Sequence, residues 1–219
     1  SEGFHLLIDC GSAVLSKLQQ YIPVEQLNAV ILSHYHHDHV ADIGTLQHAR
    51  LVKRYMGIQQ QTLPIYGHSL DEAEFARLTH EPDTVGVAYN PEEAMTIGPF
   101  QITFQRTIHP APCFAMRITD GSSTVVYTGD SAYIEEFNTF ANEADLFICE
   151  CNFYAGMDGS SAGHMNSTEA ASIAKEANVE TLLLIHLPHF GNVNDLALQA
   201  EEIYKGTVVL AAEGWTWEK

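Results

Sequence analysis

The sequence predicts an α/β protein, strands in the middle and helices outside, folded as one domain over residues 1–219. Three observations predict it. Apolar segments of strand length alternate with stretches of helical spacing at both ends of the chain. Some strand-like segments, such as "LNAVILSH", are apolar almost throughout, as strands covered on both faces are. The hydrophobic fraction, 46%, is ordinary for a folded globule and supplies a core.

The elements follow in order. "FHLLIDC" is an apolar strand that begins almost at residue 1, and "AVLSKLQQYI" has helical spacing. "LNAVILSH" is the second strand, and a longer helix is expected over Ala41–Tyr55. "LPIYG" is a short strand, followed by "LDEAEFARLTH", a helix with an acidic first turn. The middle changes character. "MTIGPFQITFQRTIHP" and "CFAMRITDGSSTVVYTGD", with the turn dipeptide Asp120-Gly121, read as antiparallel strands and a hairpin. Alternation then returns: a helix near Glu135–Ala141, the strand "ADLFICE", and the helix "NSTEAASIAKEAN" with a Ser/Thr cap and a glutamate in its first turn. "VETLLLIHL" is a strand, "DLALQAEEIY" a helix and "TVVLAAEG" a last strand. The polar, glycine-rich loop "YAGMDGSSAGHMN" is of the kind that carries function in compact domains.

Charge excludes some partners. Lys+Arg is 10 and Asp+Glu is 28, a formal balance of −18. Such a chain repels polyanions, whereas nucleic-acid binders show a basic face that releases counterions. Arg50, Lys53 and Arg54 cluster in "RLVKRYMG", read here as one charged face of a helix rather than a nucleic-acid site. No apolar run approaches the roughly 18 residues that span a bilayer. No basic-then-apolar signal segment opens the chain, so no membrane partner and a cytoplasmic location are expected. Cys10, Cys113, Cys149 and Cys151 form no C-x-x-C pair and are expected as buried, reduced thiols.

Chemistry concentrates in "SHYHHDHV", residues 33–40, directly after a strand, where α/β proteins build their sites. His34 and His36 are two apart and aim at one ion; Asp38 and His39 serve a second. Imidazole with carboxylate suits zinc, and also iron or manganese. His37 breaks the alternation and reads as a solvated or supporting residue. Three further candidates stand at strand ends: His109 after "QITFQRTI", Asp130 after "STVVYTG" and His186 in "TLLLIH". Each alone suits capping or satisfied burial; together with the cluster they point to a shared metal site.

The His34-x-His36-x-Asp38-His39 pattern, "YTGD" and a late strand ending in "IH" resemble the metallo-β-lactamase superfamily. Within it the chain looks most like ribonuclease Z and its short-form relatives, through "TIHPAPCFAMRI" and "ADLFICECNF…GHMNSTEAASIAKEANVETLLLIH". The likeness runs from Leu7 to Trp215. It implies a single-domain, four-layer αββα sandwich. It implies two Zn²⁺ ions, with Mn²⁺ or Fe as alternatives. His34, His36 and His109 would hold the first, Asp38, His39 and His186 the second, and Asp130 would bridge them. His164, in "GHMNST", matches a histidine that assists proton transfer, although the family has "HST" there; a capping or loop role is the alternative. Asp9 and Glu150 match acidic positions behind the ligands.

The resemblance implies a hydrolase, foremost a phosphodiesterase that attacks with a metal-bridging hydroxide, with Asp38 orienting it and His164 protonating the leaving group. Two departures bear on the substrate. The one or two strands that open the fold before the equivalent of "HLLIDCG" are not seen, so a missing first strand is expected. The long inserted arm with which ribonuclease Z grips tRNA is not seen either, and with the charge of −18 this argues against tRNA. A small molecule or a short phosphodiester is the expected substrate, and a homodimer the expected assembly by analogy. Alternatives are an ester, lactone or thioester hydrolase on the same site, and a non-catalytic metal-binding protein. A di-iron redox protein ranks low, because that group carries a carboxylate where His36 stands.

Overall fold

The structure, a computed structural model, describes residues 3–58 and 60–219. Ser1, Glu2 and Gln59 lie outside the described residues. The backbone divides into two compact units. One comprises the described residues of Ser1–Pro91 with Met95–Pro99, the other Glu92–Ala94 with Phe100–Lys219.

The first unit carries β1 (Leu6–Ile8), α1 (Val14–Leu18), a 3-10 turn (Val24–Gln26), β2 (Ala29–Ile31), α2 (His37–Val40), α3 (Ile43–Tyr55), β3 (Leu63–Gly67), α4 (Glu72–Ala76), β4 (Thr84–Ala88) and β5 (Met95–Ile97). Strands β1-β2-β3-β4 pair in that order, all parallel. Parallel strands end on one edge. Asp9, the Ser33-His34 pair, His68 and Tyr89 therefore follow strand ends that lie side by side. Beneath them sits a core that includes Leu15, Val30, Leu32, Leu46, Leu63 and Ile65. Each such side chain, fully buried, contributes about 1.5–3 kcal/mol.

The helix expected over Ala41–Tyr55 forms as α3, starting at Ile43, and a further short helix, α2, ends just before it. The Asp42 amide donates to the Cys10 carbonyl (3.0 Å) and its carboxylate accepts from the Leu15 amide (2.9 Å), which bends the chain there. Strand β4 has no counterpart among the expected elements. "TVGVA" is short and broken by a glycine, and its strand character comes from a five-residue register with β3.

The basic cluster is structural, as its reading as a helix face implies. The Arg50 side chain is buried and donates to the carbonyls of Val24 (3.1 Å), Asp83 (3.2 Å) and Gln61. Lys53 pairs with Glu25 at 3.2 Å, and Arg54 reaches both Asp83 oxygens at 3.0 and 3.2 Å.

The second unit carries β6 (Phe100–Arg106), β7 (Phe114–Thr119), β8 (Thr124–Tyr127), α5 (Glu136–Phe140), β9 (Leu146–Glu150), a 3-10 turn (Ser160–Ala162), α6 (Ser167–Glu176), β10 (Thr181–Ile185), α7 (Asn194–Ile203) and β11 (Thr207–Leu210). Its strands run in the order β11-β10-β9-β8-β7-β6. The pairs β6–β7 and β7–β8 are antiparallel, the rest parallel. The Asp120-Gly121 hairpin forms as expected: the Asp120 carboxylate accepts from the amides of Ser122 (3.0 Å) and Ser123 (2.9 Å). Two reversals leave β6 pointing the same way as β8, β9 and β10, so the residues after all four strands share one edge. A core including Phe137, Phe147, Met165, Ile173, Leu182 and Leu184 lies below.

The cap of α6 differs from the Ser/Thr cap expected. Asn166 is the cap: its side chain accepts from the amides of Thr168 and Glu169 (3.0 Å each) while Glu169 accepts from the Asn166 amide (2.9 Å). A side-chain carbonyl satisfies the open helix donors as a hydroxyl does. All four cysteines are buried and unpaired in disulfides, as expected. Burial pushes the Cys10 and Cys151 thiols to about 12, which keeps them protonated. Among the described residues no helix is long and apolar enough to cross a membrane.

Candidate metal centre

In the first unit the donors come from one short segment. Leu32 leaves β2 still bonded to β3, and the chain passes a bend at Ser33 to an extended His36 before α2 begins at His37. Alternation along that segment sorts its side chains. His34 and His36 fall together, ring centroids 4.8 Å apart, with one nitrogen of each within 4.8 Å of the other. Tyr35 and His37 line a cavity of about 240 Å³ with Val40, Ile43 and Leu78. His37 is exposed there, in keeping with its reading as a non-ligand. Asp38 and His39 also bring donor atoms within 4.8 Å, and the His39 ring lies 4.2 Å from that of His34.

Asp9 organises this segment. Its carboxylate accepts from the Ser33 amide (2.7 Å) and the Ser33 hydroxyl (2.8 Å), and it lies 2.7 Å from His39 Nδ1. His34 Nδ1 sits 3.0 Å from the Ser33 hydroxyl oxygen. A ring nitrogen held this way fixes the orientation of the imidazole and leaves Nε2 for a metal. The Cys10 amide donates to the His39 carbonyl at 2.8 Å, and Gly11 lets the chain come closer still. A Cβ on Gly11 would stand 1.7 Å from the Asp38 carbonyl oxygen.

In the second unit the donors come from three separate strand ends. His109 follows β6, Asp130 follows β8 and His186 follows β10. Asp130 Oδ2 lies 3.9 Å from His109 Nε2 and 3.7 Å from His186 Nε2. His109 Nδ1 lies 3.1 Å from the Gly163 carbonyl, which again leaves Nε2 facing the carboxylate. The loops are tied to each other: Ile108 N donates to the Ser131 hydroxyl (3.2 Å), and Ala132 N to the Ile108 carbonyl (2.9 Å). His186 takes a positive φ of 50° at its strand end, and the Asn152 amide donates to its carbonyl at 3.0 Å.

Glu150 and His164 stand beside these three. Glu150 is fully buried and accepts at one oxygen from Ser131 N (3.1 Å) and at the other from Asn152 N and Met165 N (3.2 Å each). His164 Nδ1 is 2.8 Å from the first oxygen. Burial pushes the Glu150 carboxyl above the usual carboxylate range, His164 pulls it back, and the charge of Asp130 adds to the rise. The His164 ring stacks on His186 (5.1 Å, 27°) and meets His109 edge-on (5.2 Å). Donor atoms of Glu150, His164 and His186 also fall within 4.8 Å of one another.

The donor sets suit a divalent metal. Each unit offers imidazole and carboxylate, and in His34, His39 and His109 one ring nitrogen rests on a hydroxyl, carboxylate or carbonyl. That is the support ligand histidines need. The sequence marks the candidate donors and, behind them, Asp9 and Glu150, but not the supports Ser33, Ser131 and Asn152. Each is a polar residue just past an apolar strand, the same signal that marked Asp130 and His186.

Comparisons with known proteins give the family. A family model described as "Beta-lactamase superfamily domain" matches residues 5–187. The "Probable metallo-hydrolase YhfI" of Bacillus subtilis (strain 168) is 57% identical over 218 residues, spanning 100% of this chain and 89% of the relative. The crystal structure of that metallo-β-lactamase fold protein superposes with a TM-score of 0.99. Ribonuclease Z of Metallosphaera sedula is 22% identical over 249 residues, 93% of this chain and 86% of its own length. A solved structure described as a new diphosphatase from the PhnP family gives a TM-score of 0.75 at 16% identity, covering 98% of this chain and 79% of the other. At that identity the shared feature is the fold.

Proposed function

The chain belongs to the β-lactamase superfamily, and from that premise we propose that it is a metallo-hydrolase, the function named for its Bacillus relative, and that it hydrolyses phosphodiesters with two Zn²⁺ ions. In this reading His34, His36 and His109 hold one ion, Asp38, His39 and His186 the other, and Asp130 serves both. The observation that carries it is the convergence of His109, Asp130 and His186 from three strand ends. Capping alone gives no reason for three such residues to meet. The ribonuclease Z similarity favours phosphodiesters over carboxylic esters.

When bound, the metals would lower the pKa of water from about 15.7 towards neutrality and draw off charge from the substrate. The chain's own groups do the rest. Asp38, the most exposed of the donors, accepts a hydrogen bond from the attacking water and aims it at phosphorus. His164, its Nδ1 held by Glu150, presents Nε2 to the leaving oxygen and gives it a proton. A charge of −18, with Arg50 and Arg54 tied to internal partners, suits a small or short diester rather than folded RNA. A homodimer in the cytoplasm completes the proposal; buried reduced thiols fit that compartment.

The test is hydrolysis of bis(p-nitrophenyl) phosphate by metal-stripped protein, with Zn²⁺ or Mn²⁺ then restored. Turnover that returns with metal and is lost in Asp38→Ala is expected. A protein that binds two metals, leaves the diester intact and cleaves p-nitrophenyl acetate or a lactone would replace this reading. His164→Ala should lose on the order of 10²-fold on an alkyl diester, whose leaving group needs a proton, and far less on the nitrophenyl diester. Equal losses on both would remove His164 as the acid.

A further inference from the structure

Tyr35 separates the two histidines His34 and His36, and its side chain goes the other way. It is buried, and its hydroxyl donates to the His68 carbonyl at 2.6 Å. Its ring lies 4.5 Å from the ring of His68, itself buried at the end of β3. The slot that receives it is made by a glycine. A Cβ on Gly67 would stand 2.3 Å from the Tyr35 hydroxyl oxygen and 3.2 Å from the ring carbon that bears it. The floor of the slot is rigid: β3 pairs with both β2 and β4, and Leu32 N donates to the Tyr66 carbonyl at 2.9 Å. A second tyrosine pins the same junction, the Tyr89 hydroxyl donating to the Leu32 carbonyl at 2.9 Å.

An extended segment has one rotational freedom that matters here. If it rolls about its axis, His34 and His36 swing together away from their metal. A buried hydroxyl fixed to the neighbouring strand on the opposite side blocks that roll. The Asp9–Ser33 bonds hold the segment at its start and α2 holds it at its end, the His39 amide donating to the His36 carbonyl at 2.9 Å; the Tyr35 hydroxyl anchors it between them. We propose that Tyr35 is a positioning residue for the metal ligands, its hydroxyl locked on the His68 carbonyl setting the orientation of His34 and His36. The proposal rests on the reading of those two histidines as ligands.

Tyr35→Phe keeps the ring and its packing and deletes only the anchor. Tyr204→Phe is the matched control. That hydroxyl is also buried and donates to a carbonyl, Val179 at 2.6 Å, but it adjoins no candidate ligand. Zn²⁺ affinity is measured by competition with a chromophoric chelator, alongside the melting temperature of the stripped protein. The expected result is a loss of about 10-fold or more for Tyr35→Phe, in the range found for groups that orient ligands. Tyr204→Phe should lower the melting temperature and leave affinity within about 2-fold of wild type. Gly67→Ala, which pushes the hydroxyl out of its slot, should reproduce the affinity loss. Equal affinities for Tyr35→Phe and Tyr204→Phe would reduce the anchor to ordinary packing and overturn the proposal. His36→Ala in the same titration separates the two readings. If His36→Ala binds as wild type, the ligand assignment fails and the proposal falls with it. If His36→Ala loses binding and Tyr35→Phe does not, the anchor alone is wrong.

Discussion

The two units reach similar chemistry by opposite routes. The first takes its donors from one stretch, His34 to His39, held by bonds to Asp9, which follows the neighbouring strand β1, and by a close approach at Gly11. The second takes His109, Asp130 and His186 from the ends of three alternate strands, β6, β8 and β10, which strand order and direction bring to one edge. The first arrangement is written in the primary sequence and depends on a few supporting contacts. The second depends on the register of a whole sheet, and any one donor there is supported by the rest of the core.

The comparison can be broken in four places. Asp130→Ala has the largest expected effect. As the shared ligand of the proposed site, its loss should abolish turnover and reduce bound metal below two per chain, read by elemental analysis; full occupancy would show that Asp130 is no ligand. Asp9→Asn comes next. It keeps the shape but weakens the hold on His39 Nδ1, and should cost about 10–100-fold in metal affinity with little change in fold. An Asp9→Asn protein with wild-type affinity would mean that the first unit orients its donors without this carboxylate. Gly11→Ala drives a methyl into the Asp38 backbone and should destabilise the protein by roughly 1–3 kcal/mol, seen in denaturant unfolding. A neutral result would show that the segment carrying Asp38 can move aside. Asn166→Ala is the smallest. It removes the α6 cap at about 1 kcal/mol, and activity per folded molecule should stay unchanged; a drop in activity would tie α6 to the site.

The same contrast governs what could be read without a structure. The histidine cluster was legible because four histidines in six positions have few structural uses. His109, Asp130 and His186 were legible as polar residues at the ends of apolar runs, pointing to one shared site, and which ion each would hold came from family resemblance. Strand β4 was not legible, since "TVGVA" has too little apolar character to declare itself and becomes a strand by pairing with β3. Asn166 was passed over for its serine and threonine neighbours because all three can cap; which one does is settled by where the preceding chain arrives. Tyr35 carries no signal of its own in the sequence. Its partner is a backbone carbonyl 33 residues away, and a carbonyl carries no sequence signature.

The internal use of Arg50, Lys53 and Arg54 has a kinetic consequence. These three of the chain's ten Lys+Arg residues bond to Asp83, Glu25 and backbone carbonyls, and the net charge is −18. An anionic substrate therefore meets a long-range field that opposes its approach, whatever waits for it at short range. Added salt shortens that field to about 10 Å at 0.1 M. Encounter with a negatively charged diester should then quicken as ionic strength rises, the reverse of the trend for proteins that grip nucleic acid through basic surfaces.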